Sequence, residues 1–179
     1  MIRLLLGLAL AVTALAIPAT PPAEALRNLP NVAFPAPQRI ASGRLQAADL
    51  PALQAAGVRQ VIDLSVDDET PGFDEATALR KAGIGYHNLP IHGASDLNDA
   101  NVARFDQLLA AAGDQRTLVH CASSNRVGAM IALRAATVGG LPVEAALAEG
   151  RRWGLKSLEP AVRERLNRRT DTTVTPPPH

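Results

Sequence analysis

The sequence predicts an α/β fold with a mainly parallel central sheet flanked by helices, built on two observations. Short β-prone runs alternate with segments of helical periodicity along most of the chain, and glycines such as Gly57 and Gly83 stand between them. In the stretch Thr117–Met130, the β-prone run Thr117-Leu118-Val119 passes through a small polar loop, Cys121 to Asn125, into an Ala- and Leu-rich helical run. Strand, tight loop and helix together aim backbone N–H groups and a helix N-terminus at one point.

Composition narrows the function class. A chain of 179 residues, 47% of them hydrophobic, is one domain with a real core. Eighteen basic against 17 acidic side chains leave a net charge of +1, which suggests neither nucleic acid nor a membrane surface as partner. Aromatic residues make up only 3%, so Leu, Val, Ile and Ala must build the interior. The single cysteine, Cys121, excludes an internal disulfide.

The elements follow in order. Residues 1–25 read as a secretory signal peptide: Arg3 gives the positive start, Leu4 to Leu15 the apolar run, and Ala23-Glu24-Ala25 a small-x-small site before Leu26. That run is shorter than the ~20 residues a membrane span needs. No cysteine lies near the site to carry a lipid. The Ala- and Arg-rich composition suggests a bacterium, so export predicts a periplasmic protein with no stable membrane anchor after cleavage. Residues 26–37, rich in Pro and Asn, are expected to form an extended arm, and the domain to run over 38–168.

Within the domain, Arg39–Leu45 reads as a strand, Ala47–Ala56 as a helix stopped by Gly57, and Val58–Leu64 as a buried strand. Asp63, inside that strand, is expected to bond a neighbouring loop N–H. Asp67, Asp68 and Glu69 read as a solvated loop. Phe73–Ala82 is the next helix and Gly85–Ile91 the next strand. Asn98 caps a helix over Asp99–Ala112, whose Val102, Phe105, Leu108 and Leu109 fall at helical spacing. Arg116–Val119 delivers the cysteine loop, Arg126–Val138 is the helix behind it, and Pro142–Gly150 and Ser157–Asn167 complete the set. Arg151, Arg152 and Trp153 read as a solvated pair over a half-buried ring. Residues 169–179 are expected to be a disordered tail. Ligands of parallel sheets sit beyond the carboxyl ends of the strands, so the loops starting at Cys121, Ser65 and His92 should share one rim.

A lone cysteine at a strand end is otherwise a small core hydrophobe. Here His120 precedes it, Arg126 follows the loop, and a helix begins behind it. The helix dipole and the arginine both favour thiolate, so the sequence predicts a Cys121 thiol of lowered pKa. A thiolate in an oxyanion cradle is a site for covalent chemistry on an anionic substrate.

The same residues carry a resemblance. His120-Cys121 followed by Arg126, Val127 and Gly128 resembles the signature of cysteine-dependent phosphatases, with a loop one residue short. Only Ala122, Ser123, Ser124 and Asn125 separate Cys121 from Arg126. That loop length is found in the phosphatase-like domain family that accompanies beta-lactamase-like hydrolases, and in many rhodaneses. Ser42-Gly43-Arg44, Val61-Ile62-Asp63-Leu64 and Leu89-Pro90-Ile91 are similar to segments of the first family, so the likeness covers roughly Ala33 to Leu166.

The resemblance implies a phosphatase with Cys121 as nucleophile and Arg126 gripping two phosphate oxygens. The N–H groups of Ala122, Ser123, Ser124, Asn125 and Arg126 form the phosphate loop, and His120 fixes that loop. Relatives carry an acidic residue three positions after the residue matching Pro90. That position is Gly93, so Asp96 becomes the candidate general acid, with His92 next. Ser124 stands where relatives have glycine, so Ser124 or Asn125, the latter more readily, must take the left-handed turn. Val127 replaces a hydroxyl residue that would stabilise the leaving thiolate, which predicts slow turnover or none. Two other readings stay open: a rhodanese-like sulfurtransferase using a Cys121 persulfide and a sulfur-donor substrate, and a catalytically weak anion-binding module. Arg44 is a further residue within reach of a substrate anion. No cofactor is implied. His87, His92, His120 and Cys121 lack metal-ligand spacing, so no metal site is expected.

Overall fold

The structure is a computed structural model that describes residues 22–69 and 72–174. Most of the expected signal peptide, residues 1–21, lies outside them. A short helix α1 (Pro22–Leu26) opens the described chain. Residues 26–37, expected to form an extended arm, pack against the domain. Leu26 and Leu29 are buried beside Ile40 and Leu53, and the extended strand β1 (Ala33–Ala36) pairs antiparallel with β2 (Arg39–Ser42). The prolines that suggested an arm are compatible with an edge strand, where Pro35 costs no ladder bond in the centre of the sheet.

The remaining strands are β3 (Gln60–Asp63), β4 (Gly85–Asn88) and β5 (Thr117–His120). The sheet order is β1-β2-β5-β3-β4, parallel throughout except for β1. All four residues of β5 are buried, as a central strand covered on both faces requires. Side chains alternate between two cores with the period of a strand. Ile40, Val61 and Leu118 face the layer containing Leu53 and Leu79. Ala41, Ile62 and Val119 face the layer containing Phe105 and Met130.

The helices of the first layer are α2 (Leu50–Ala55) and α3 (Glu75–Lys81). Asp74 accepts from the Thr77 N–H and caps α3, so the helix starts at Glu75 rather than Phe73. The second layer holds α4 (Asp99–Ala112), α5 (Asn125–Thr137), α6 (Val143–Arg152) and α7 (Glu159–Val174). Helices α5 and α6 cross closely at two glycines: a Cβ on Gly150 would stand 2.6 Å from the Gly128 carbonyl oxygen.

The expected tail from Arg169 is helical as far as Val174, and 175–179 lie outside the described residues. Asp99, at the start of α4, accepts from Arg165 at 2.9 Å and Arg169 at 2.6 Å. This anchorage, invisible in local composition, carries α7 past Asn167. Trp153 is 5% exposed, more buried than expected, and its indole N–H donates to Glu149. Among the described residues no helix is long and apolar enough to cross a membrane.

Candidate active site

Cys121 follows the central strand and is fully buried. The loop after it is shaped from both sides. The Arg44 N–H donates to the Ala122 carbonyl at 3.3 Å, and Ser123 bridges Gly43. Ser124 takes the left-handed conformation, φ 67° and ψ −7°. The turn therefore falls on serine and not on Asn125, which opens α5. Ser124 is fully buried, and its hydroxyl donates to the Trp153 carbonyl at 2.9 Å. The Asn125 side-chain oxygen accepts from the Lys156 and Leu158 N–H groups, and its amide donates to the Ser157 hydroxyl. The turn between α6 and α7 thus holds the loop at two consecutive residues.

Arg126, in the first turn of α5, is 8% exposed. It gathers the three rim loops that the sequence placed together. One guanidinium nitrogen donates to the Leu64 carbonyl at 3.3 Å and to the Ile91 carbonyl at 2.7 Å. The other reaches Glu69 Oε2 at 2.5 Å. Burial works to lower the Arg126 pKa, but the Glu69 bond and the nearby Cys121 outweigh it and leave the value raised. Glu69 is therefore no solvated loop charge. The sequence missed it because its partner lies 57 residues away.

His120 is fully buried, and its Nε2 lies 2.8 Å from Glu75 Oε1 and 3.5 Å from Asp63 Oδ1. Asp63 also accepts from the Ser65 N–H at 2.7 Å and the Tyr86 hydroxyl at 2.9 Å. The expected Asp63 bond to a loop N–H is present, but the cluster around it, built on Glu75, was not legible. Burial first, and then the Asp63 carboxylate, push the Tyr86 pKa up.

Asp96 ends a single 3-10 turn, Ala94–Asp96, before α4. Its Oδ2 accepts from the His92 N–H and contacts His92 Nδ1, both at 2.8 Å. The His92 backbone bond, followed by its side-chain bond, holds the Asp96 carboxyl below its ordinary value. The two candidate acids thus form one pair, next to the Ile91 carbonyl that Arg126 binds. Arg44 lines an open cavity of about 390 Å³ together with Glu69 and Phe73. A larger cavity of about 440 Å³, at Arg39, Gly113 and Arg134, lies at the opposite end of β2 and holds no nucleophile. Val127 is fully buried in the core, so no hydroxyl follows Arg126.

No family model matches the chain. Over 81 residues it is 36% identical to a beta-lactamase hydrolase-like protein of Xylella fastidiosa, covering 43% of this chain and 18% of that protein. Over 89 residues it is 30% identical to the protein of the same name in Agrobacterium fabrum, covering 48% and 20%. The chain therefore spans about a fifth of the length of these relatives. A DUF442 phosphatase candidate of Shewanella putrefaciens superposes with a TM-score of 0.67 at 24% identity, covering 82% of this chain and 97% of that one. TpbA of P. aeruginosa, in complex with phosphotyrosine, superposes with a TM-score of 0.58 at 24% identity, covering 81% and 91%. The chain has the fold of cysteine phosphatases of the protein-tyrosine and dual-specificity type, and in sequence it is similar to a segment of the beta-lactamase hydrolase-like proteins.

Proposed function

We propose that the protein hydrolyses a phosphate monoester through a phosphocysteine on Cys121. The observation that carries this reading is the placement of Arg126, one guanidinium nitrogen of which is fixed by two strand-end carbonyls beside the Cys121 loop. A planar guanidinium fixed at that nitrogen keeps Nε and its other terminal nitrogen as a pair of donors for equatorial phosphate oxygens, which lysine cannot offer. Cys121 attacks phosphorus as the thiolate. The S–P bond forms, the P–O ester bond breaks, and the leaving oxygen takes a proton. Loop N–H groups from Ala122 to Arg126 hold the remaining charge. Water then attacks phosphorus, releasing inorganic phosphate and the thiolate.

Asp96, with His92 next, is the candidate proton donor to the leaving oxygen, and the two are joined through Asp96 Oδ2 and His92 Nδ1 at 2.8 Å. His120 supports the nucleophile strand from its carboxylate cluster. We also infer, from the amino-terminal pattern, that the protein is exported to the periplasm.

Two observations support a slower, anion-binding alternative. Cys121 has no exposed surface, and Glu69 occupies one arm of Arg126. The test compares the full chain with Cys121→Ser. Phosphate release from p-nitrophenyl phosphate that vanishes in the variant supports hydrolysis. Thiocyanate from thiosulfate and cyanide, without phosphate, moves the chain to sulfur transfer. Neither product, with vanadate still bound, leaves the binding module. A reporter enzyme that is active only outside the cytoplasm, fused after residue 32, tests export.

A further inference from the structure

We propose that Asp63, Glu75 and His120 hold a divalent transition-metal ion, with Zn²⁺ the best match to one imidazole nitrogen and two carboxylate oxygens. Their donor atoms lie within 4.8 Å of one another, and all three residues are buried. His120 Nε2 is 2.8 Å from Glu75 Oε1 and 3.5 Å from Asp63 Oδ1. Ligands at ~2.0 Å from a tetrahedral zinc ion stand roughly 3.3 Å apart, so small shifts admit the ion.

Two further atoms point to a ligand. Glu75 is 4% exposed and Ser65 is 2% exposed. Among the described residues, Glu75 Oε2 and Ser65 Oγ have no hydrogen-bond partner. A buried carboxylate oxygen left unpaired is costly and marks the place of an ion or a water. Both residues line a cavity of about 190 Å³, with Asp63, Asp67, Asp74 and Tyr86 on its wall. Four carboxylates around one small cavity attract a cation and give it a way in. The surroundings of Asp63 are those of a ligand already oriented: the Ser65 N–H and the Tyr86 hydroxyl each donate to one of its oxygens.

The three ligands come from the end of β3, the first residue of α3 and the end of β5. Bound metal would therefore fasten α3 to the two central strands one residue before Cys121, without using the thiol. This inference does not depend on the hydrolytic reading.

The experiment strips the full chain with a chelator and measures equilibrium binding and melting temperature with Zn²⁺ and with Mn²⁺, using Mg²⁺ as control. One Zn²⁺ or Mn²⁺ per chain is expected, with a raised melting temperature. Glu75→Gln is expected to weaken binding on the order of 100-fold, since loss of even an outer-shell partner costs 10–100-fold. Cys121→Ser is expected to bind as the wild type does. If Glu75→Gln does not fold, Asp63→Asn takes its place. No stoichiometric Zn²⁺ or Mn²⁺ on the wild-type chain would overturn the proposal. So would binding that survives loss of the carboxylate, or binding that disappears with Cys121.

Discussion

Ser124 rests against Gly154, and neither position is free without the other. Ser124 holds a left-handed turn at φ 67°, and a Cβ on Gly154 would stand 2.7 Å from the Ser124 Cβ. Gly154 itself sits at φ 97°, a region that side chains rarely adopt. Gly154→Ala is predicted to cost about 1–3 kcal/mol in urea unfolding, the usual range for forced backbone strain. On the hydrolytic reading it should also weaken vanadate binding, because the displaced Ser124 carries the loop after Cys121 with it. Unchanged vanadate affinity would show that the loop keeps its shape without this support.

On the hydrolytic reading, Glu69, bonded to Arg126, competes with substrate for the guanidinium. The Leu64 and Ile91 carbonyls already orient the guanidinium, so its direction does not depend on Glu69. Glu69→Gln removes the competing charge and keeps the shape. Phosphate and vanadate are predicted to bind several-fold more tightly, in line with the ~1 kcal/mol scale of a partly exposed ion pair. Weaker binding, measured by inhibition constants, would instead make Glu69 the residue that aims Arg126.

In the proposed reaction, Val127 withholds a hydroxyl from breakdown of the phosphocysteine. Val127→Thr is predicted to cost about 1–3 kcal/mol, because the hydroxyl enters a buried site. The same change should speed breakdown of the phosphocysteine by roughly tenfold, below the ~2.7–4 kcal/mol that a well-placed donor can supply. Rapid-mixing kinetics would read this as a smaller burst followed by a faster steady rate. A slower steady rate would place the bottleneck elsewhere.

Acid should loosen the α4–α7 contact. Hydrogen bonding to Arg165, followed by the charges of Arg165 and Arg169, holds the Asp99 carboxyl below its ordinary value. A carboxyl with a depressed folded pKa contributes stability that is present above its unfolded value, near 3.9, and is lost as pH falls through the folded one. Asp99→Asn should therefore lower stability at neutral pH and flatten its fall below about pH 4. Parallel denaturation curves at pH 7 and pH 3 give the comparison, and equal losses at both values would contradict it.

What could be read from the sequence was local. Helix α4 spans Asp99–Ala112 as expected, because its Asn98 cap and its apolar spacing lie within the element. The strand–loop–helix frame around Cys121 was legible for the same reason. The left-handed turn was not. Asn125 has the better intrinsic preference for it, but Trp153 and Gly154, about thirty residues on, assign it to Ser124. Glu75, 45 residues before His120, was hidden in the same way. The docking of the expected extended arm was hidden for a different reason: Leu26 and Leu29 are too few to show periodicity, yet each fills a place in the core.

The grip of the α6–α7 turn on Ser124 and Asn125 also sets an order of assembly. On a ribosome, Cys121 and Arg126 emerge before Trp153, Lys156 and Leu158, which hold one side of the loop between them. Until that later stretch docks, the loop is held from the Gly43–Arg44 side alone among these contacts. On the proposed reading, the anion cradle is therefore complete only when the last two helices are in place, and a fragment that stops short of Leu158 would lack one side of its support.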